Sequence, residues 1–256
     1  MPRFFVEEEI PADCTAWTIS GADAHHIRNV LRMAPGDELI VCDGHRTEIK
    51  ARIQAITADV VELELGPRSI SQNESPLEIW LFQGLPKGDK LDTIIQKAVE
   101  LGAARLIPVI CERSVARIAA QDAARKTGRW QKIAREAARQ CGRALLPTVE
   151  SPLVFPRAAQ LASTADLALI PWENERERSI RQLLESQSPR LDAMIREDQR
   201  PRIAVLIGPE GGFAMPEIDQ AVKAGIWPVS LGRRILRTET AGPAVLAMLG
   251  YQFNDF

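Results

Sequence analysis

The 256-residue sequence predicts an α/β protein in two parts, a small β-rich unit followed by a larger one built on a mainly parallel sheet. Two patterns carry this expectation. Up to Leu65 the chain runs in short, apolar-alternating segments separated by turn residues. From Leu77 onward strand-like runs alternate with amphipathic helical segments, the pattern of a parallel sheet covered on both faces. Between them Gly66 to Pro76 is polar and turn-rich, as a linker should be. The expected domains are 1–73 and 74–256.

In the first part Arg3–Val6, Glu38–Cys42, Thr47–Ile56 and Val60–Leu65 read as strands, with Asp43-Gly44 as a turn. One helix fits Ala22–Met33, where Ile27, Val30 and Leu31 share a face and Pro35-Gly36 ends it. A compact β-barrel results. In the second part the strands are Leu77–Gln83, Arg105–Ile110, Leu167–Pro171, Ile203–Ile207 and Pro228–Leu231. The helices are Lys90–Leu101, Gln121–Gly142, Glu175–Ser186, Pro216–Ala224 and Thr240–Phe253. In the first of these Leu91, Ile94, Ile95 and Ala98 share a face, and Gly102 stands where a C-terminal cap belongs.

Hydrophobic residues make up 45% and charged residues 26%, an ordinary globular composition. The opening MPRFFVEEEI lacks the apolar run of a signal peptide, and nowhere do about 18 apolar residues run together. A cytoplasmic protein without a membrane span is expected. Cys14, Cys42, Cys111 and Cys141 are scattered, which suits reduced thiols. The net charge of −2 excludes a wholly basic nucleic-acid binder. Its distribution is uneven: residues 101–150 hold ten Lys/Arg against four Asp/Glu, and the first 100 residues hold ten against seventeen. An anionic partner would therefore be met by one face.

Three segments are candidates for chemistry. Leu206-Ile207-Gly208-Pro209-Glu210-Gly211-Gly212-Phe213 joins an apolar strand to a helix through glycines, which let backbone approach a ligand closely. Read locally, it suits an ordinary strand-to-helix turn as well as a ligand loop. It lacks the Lys-Ser or Lys-Thr of a phosphate loop and the spacing of a dinucleotide fingerprint. Glu210 would repel phosphate and suit a cationic ligand such as a sulfonium. Leu231-Gly232-Arg233-Arg234-Ile235-Leu236-Arg237-Thr238-Glu239-Thr240-Ala241 brings arginines, which grip phosphates or base carbonyls, beside a carboxylate able to take a proton. The alternative is a helix cap with solvated arginines. Along Gln121–Gly142, Arg125, Arg129, Lys132, Arg135, Arg139 and Arg143 span an arc of roughly 120°. Such a stripe would supply salt-dependent phosphate contacts. His25, His26, His45 and Cys42 match no zinc spacing, so no metal is expected, and no G-x-S-x-G elbow is present.

IGPEGGF, followed by LGRRILRTETA, resembles the ribosomal RNA small-subunit methyltransferase E family of the SPOUT superfamily. QKAVELG at 96–102, EAARQCGR at 136–143 and HHIRNVLR at 25–32 with Pro35-Gly36-Asp37 are similar to that family too. The resemblance covers nearly the whole chain. It implies an N-terminal PUA-like β-barrel that binds RNA, a C-terminal SPOUT domain with a deep trefoil knot, and a homodimer. The implied reaction is methylation by S-adenosylmethionine of N3 of uridine 1498 in 16S ribosomal RNA, within the assembled 30S subunit or as free RNA. Gly242-Pro243 departs from the helix formers expected there, and it would move the helix start by a turn.

On that reading Ile170, Pro171, Trp172, Ile207, Gly208, Pro209, Glu210, Gly211, Gly212, Leu231, Gly232, Ile235 and Leu236 hold the cofactor. Arg237 pairs with a uracil oxygen as charge develops, and Glu239 is the base, directly or through water. Arg139, Arg143, Lys87 and Arg113 contact RNA, with Arg3, Arg28 and Arg32 extending that surface on the small domain. The alternatives are a ribose 2′-O-methyltransferase of the same superfamily and an RNA-binding module without enzymatic activity.

Overall fold

The structure is a computed structural model that describes residues 1–6, 8, 10–116 and 118–255, with the side chain of residue 120 left aside. Contacts divide the chain into two compact units. One is Met1–Glu74 with Ala138–Leu146, and the other is Ser75–Ala137 with Pro147–Phe256.

The first unit is a five-stranded sheet of β1 (Arg3–Phe5), β2 (Ala16–Ser20), β3 (Glu38–Cys42), β4 (Thr47–Ile56) and β5 (Val60–Ile70). The strand order is β1-β3-β4-β5-β2, parallel between β1 and β3 and antiparallel elsewhere. Alternation dictates its inner face. Ile49, Ala51 and Ile53 of β4 and Val61, Leu63 and Leu65 of β5 are buried together with Phe4 and Ile27. Two register shifts between β4 and β5 bend the sheet around this core. Asp43 fixes the turn into β4 by accepting from the amides of His45 and Thr47 at 2.7 and 3.0 Å.

Three expectations are corrected here. β2 escapes the sequence reading because it lies at the sheet's end and buries only Ile19. β5 runs on to Ile70, so half of the expected linker is strand, paired with Thr47–Ile49. The helix expected over 22–33 is α1 (Gly21–His25), passing into one π-helical turn at His26–Val30 before Arg32 turns left-handed at φ 53°.

Residues 138–146 are bound to this unit by a buried ion pair. The Arg143 guanidinium donates to Glu74 Oε2 through Nε and Nη2 at 3.1 and 2.9 Å. The amides of Ala144 and Leu145 both donate to Oε1 at 2.8 Å. The Glu74 carboxylate is fully enclosed and its charge completely answered.

The second unit alternates as expected. Its elements are β6 (Glu78–Gly84), α2 (Lys90–Glu100), β7 (Ala103–Ile110), α3 (Ala120–Cys141), β8 (Thr148–Val149), β9 (Leu153–Val154), α4 (Phe155–Ala162), β10 (Leu167–Pro171), α5 (Ile180–Arg196), β11 (Arg202–Ile207), α6 (Met215–Lys223), β12 (Trp227–Val229) and α7 (Thr238–Gln252). The sheet runs β12-β10-β11-β6-β7-β8, with β9 also paired to β7, and every pairing is parallel. Beyond their first residues its central strands are buried, which is why they read as continuous apolar runs.

Helix α5 starts later than expected because Ser179 and Gln182 form a capping box. Glu175 instead turns the preceding loop, accepting from the amides of Glu177 and Arg178. Helix α4 and the two-residue strands β8 and β9 lacked a sequence signal. Helix α7 begins at Thr238, not a turn later, and holds Pro243 inside it. The proline withholds one hydrogen bond without ending the helix.

Candidate active site

Three loops leave the carboxyl ends of β10, β11 and β12, and they wall a cavity of about 520 Å³ within the second unit. That position is where parallel sheets gather ligands, and the volume is typical of small-molecule and cofactor sites.

The loop after β11 is shaped by close backbone contacts. A Cβ on Gly84, at the end of β6, would stand 2.6 Å from both Pro209 N and Cδ. Gly212 adopts φ +67°, and its amide closes a turn onto the Pro209 carbonyl at 2.9 Å. The first turn of α7 is fastened to this loop: Thr238 Oγ1 donates to the Gly208 carbonyl at 2.6 Å. Gln83, buried at the end of β6, donates through Nε2 to Thr238 Oγ1 at 2.8 Å and to the Gly84 carbonyl at 3.0 Å.

Charge enters from three elements. Lys90, the first residue of α2, places Nζ 3.2 Å from Glu210 Oε1 and 3.2 Å from Glu239 Oε2. Glu210 also accepts the Lys87 amide. Partial burial opposes ionisation of Glu210. Its own backbone N–H, that of Lys87 and the Lys90 ammonium outweigh this and hold the carboxyl below its usual range. Glu239 is lowered as well, first by its own backbone N–H and then, against some burial, by Lys90 and Arg237. Both hydrogen bonds raise Lys90. The cavity thus carries two ionised carboxylates bridged by one ammonium.

The cavity collects most of the expected cofactor residues. Pro171, Trp172, the whole run Ile207–Gly212, Leu231, Gly232, Ile235 and Leu236 line it, and so do Arg237 and Glu239. Ile170 is the exception, being fully buried in the sheet core. Sequence reading missed Lys90, Glu173, Arg176 and Thr238 as lining residues. Gln83 carried a signal: a lone amide ending an otherwise apolar strand.

Of the expected RNA contacts, Lys87 and Arg113 are exposed beside the glycine loop, where Arg113 Nη1 donates to the Gly211 carbonyl at 3.1 Å. Arg28 and Arg32 are exposed on the first unit, whereas Arg3 is paired with Glu48 at 2.8 Å. Arg139 and Arg143 need correction. Arg139 grips both Asp23 oxygens at 2.6 and 2.7 Å and lies over the Phe4 ring, and Arg143 is buried on Glu74. Arg129 is paired with Asp92 and Arg125 with Asp122, so the exposed stripe expected on α3 is largely neutralised. Periodicity identified the helix and its faces, but, Asp122 apart, the acids opposing it come from distant segments.

The RNA methyltransferase domain family matches residues 73–250, and the RNA methyltransferase PUA domain family matches residues 19–65. The chain is 34% identical over 261 residues to ribosomal RNA small subunit methyltransferase E of Bacillus subtilis, covering 98% of this chain and 97% of that protein. The chain belongs to the ribosomal RNA small subunit methyltransferase E family. A Synechocystis member is 35% identical, covering 91% of this chain and 72% of that protein. The crystal structure of the Neisseria gonorrhoeae member bound to S-adenosyl methionine matches with a TM-score of 0.84 and 32% identity, covering 99% of this chain and 98% of that one. The family resemblance read from IGPEGGF and LGRRILRTETA is borne out, as is an α/β methyltransferase domain with an N-terminal PUA-like unit.

The cavity suits the sulfonium nucleoside expected as cofactor of this family. Glycines bring bare backbone to its wall, Ile207, Leu236 and Trp172 offer apolar surface, and Glu210 and Glu239 give a sulfonium local counter-charges among the lysine and arginines of the lining. Among the described residues no helix is long and apolar enough to cross a membrane.

Proposed function

We propose that this chain transfers the methyl group of S-adenosylmethionine to N3 of uridine 1498 in 16S ribosomal RNA. The observation that carries the proposal is the cavity at the ends of three parallel strands, where glycine backbone, an arginine and two ionised carboxylates converge. When bound, S-adenosylmethionine would supply a methyl carbon made electrophilic by its positive sulfur, the carbon–sulfur bond breaking to release neutral S-adenosylhomocysteine as N3 bonds to the carbon.

The residues around the cavity would then divide the work. The loop Ile207–Gly212, Pro171-Trp172 and Leu231–Leu236 hold the donor, and their fixed backbone lines up the methyl with the attacking nitrogen. Arg237 is exposed at the N-terminus of α7, suited to pair with a uracil oxygen as N3 loses its proton. Glu239 accepts that proton, directly or through water. Its carboxyl is held below the usual range, so Glu239 is ionised and able to accept a proton.

The remaining expectations join this reading as proposals. Residues 1–73 act as the RNA-binding domain with Arg28 and Arg32 exposed, and Lys87 and Arg113 meet RNA beside the cavity. A homodimer is supported by α7, which is apolar on most sides yet leaves Tyr251 84% exposed, while Ile235 nearby in sequence is 85% exposed. The trefoil knot is supported by backbone bonds that join the segments following β12 and β10: Ser230 N donates to the Arg178 carbonyl and Ile180 N to the Ser230 carbonyl. The substrate is the assembled 30S subunit in the cytoplasm.

The test is mass spectrometry of nucleosides from 30S subunits lacking the modification, after incubation with the protein and S-adenosylmethionine. Formation of 3-methyluridine supports the proposal. Formation of 2′-O-methyluridine would move the reaction to ribose, and no methylated product would favour a binding module.

A further inference from the structure

We propose that Lys90 is a positioning residue that fixes the carboxylates of Glu210 and Glu239 relative to each other, an inference that rests on the methyltransferase reading above. The two glutamates reach Lys90 from separate parts of the chain, one in the glycine loop after β11 and the other in the first turn of α7. No hydrogen bond joins one carboxylate to the other, and two neighbouring anions repel. The ammonium lies 3.2 Å from an oxygen of each, so one cation bridges the anions.

Its placement is imposed by the fold. Lys90 is the first residue of α2, and the apolar face of that helix, Leu91, Ile94, Ile95, Ala98 and Val99, is buried. The helix therefore holds the lysine backbone still while its side chain reaches the two acids. The other charged groups around the cluster are Arg237, acting on Glu239 through space, and Glu173, Arg176, Arg233 and Arg234, which line the same cavity. Among the described residues Lys90 is the cation that hydrogen-bonds both glutamates.

The physical consequence is specific. With Lys90 in place both carboxylates stay ionised and are held to one ammonium between them. Without it, both carboxyls lose the ammonium that lowers them and rise, and Glu239 is free to leave the orientation needed for proton transfer. Turnover should then suffer more than donor binding, because the two anions that favour the sulfonium remain.

The test compares wild-type protein with Lys90→Met, which keeps the aliphatic stem, and Lys90→Arg, which keeps the charge. Carboxyl-carbon NMR of labelled glutamate follows the titration of Glu210 and Glu239 without any ligand. Calorimetry gives the affinity for S-adenosylmethionine, and nucleoside analysis gives turnover on 30S subunits across pH. In Lys90→Met both titrations should rise, donor affinity should change by less than about threefold, and turnover should fall by about tenfold or more, with its acid limb moved upward. Lys90→Arg should restore the titrations and most of the turnover. Unchanged glutamate titrations in Lys90→Met would overturn the proposal, and so would equal loss of turnover in both variants. The titrations need no substrate, so they judge Lys90 separately from the functional reading, which fails if wild-type protein leaves the subunit unmethylated.

Discussion

Thr238 and Gly208 join the beginning of α7 to the glycine loop through a 2.6 Å hydrogen bond from hydroxyl to carbonyl. The same hydroxyl accepts from Gln83, so three elements of the second unit share one oxygen atom. Thr238→Val keeps the shape and removes that atom. The Gly208 carbonyl and the buried Gln83 amide each lose a partner, which should cost about 1–3 kcal/mol of stability. Denaturant titration measures that loss. Calorimetry should show weaker binding of S-adenosylmethionine, since Gly208 lines its proposed cavity. Unaltered binding would disconnect this bond from the loop's shape.

Arg143→Ala removes the cation from a fully enclosed carboxylate. Breaking a buried pair on one side costs about 3–5 kcal/mol. The loss should appear as faster amide hydrogen exchange at Ala144 and Leu145, whose amides are held by Glu74. Binding of S-adenosylmethionine to the folded protein should be unchanged. Retained protection at both amides would show that Glu74 holds them without help from Arg143.

Acid should weaken the protein partly through the cavity. Glu210 and Glu239 are both lowered from an ordinary 4.5. Their contribution is complete above that value and is lost as pH falls through the depressed folded-state values. Lys90 has the opposite sign: its contribution holds below 10.5 and is lost as pH rises through its raised folded-state value. Denaturation midpoints measured from neutral pH down to about 3 should therefore fall less steeply in Lys90→Met than in wild type. Parallel curves would show that the bridge contributes nothing to acid stability.

Thiol chemistry should separate the four cysteines. Burial, opposed by the Arg3 guanidinium and aided by nearby acids, pushes the Cys42 thiol up to about 12, and burial with Glu217 drives Cys111 up as well. Cys14 and Cys141 are only partly covered. Under native conditions a thiol reagent should label these two first, and Cys42 and Cys111 should react only on unfolding. Mass mapping of the labelled peptides checks the order, and early labelling of Cys42 would contradict its burial.

Much of this architecture was legible because its signals are local. The apolar run Ile203–Ile207 and the glycines after it declared a strand and a close-packed loop, and the segment 231–241 declared its arginines and acid. What remained illegible depends on separation. Lys90 and Glu239 lie 149 positions apart, and nothing in the spacing of either announces the other. The α3 stripe failed for the same reason. Its arginines have the right period, but Asp92, Asp23 and Glu74 answer them from elsewhere. Helix α5 was misplaced because acidic residues at 173–177 resemble a first turn, whereas Ser179 and Gln182 supply the actual cap.

The bond between Glu74 and Arg143 also sets an order of events during synthesis. Glu74 emerges 69 residues ahead of its partner, with the strands β6 and β7 and most of α3 still to come. Until that later segment arrives, the nascent first unit holds a carboxylate that water must continue to solvate, and its closing contacts have no counterpart. Residues 1–74 expressed alone would keep that vacancy permanently. A fragment meant to fold must either carry residues 138–146 or replace the acid with a neutral side chain.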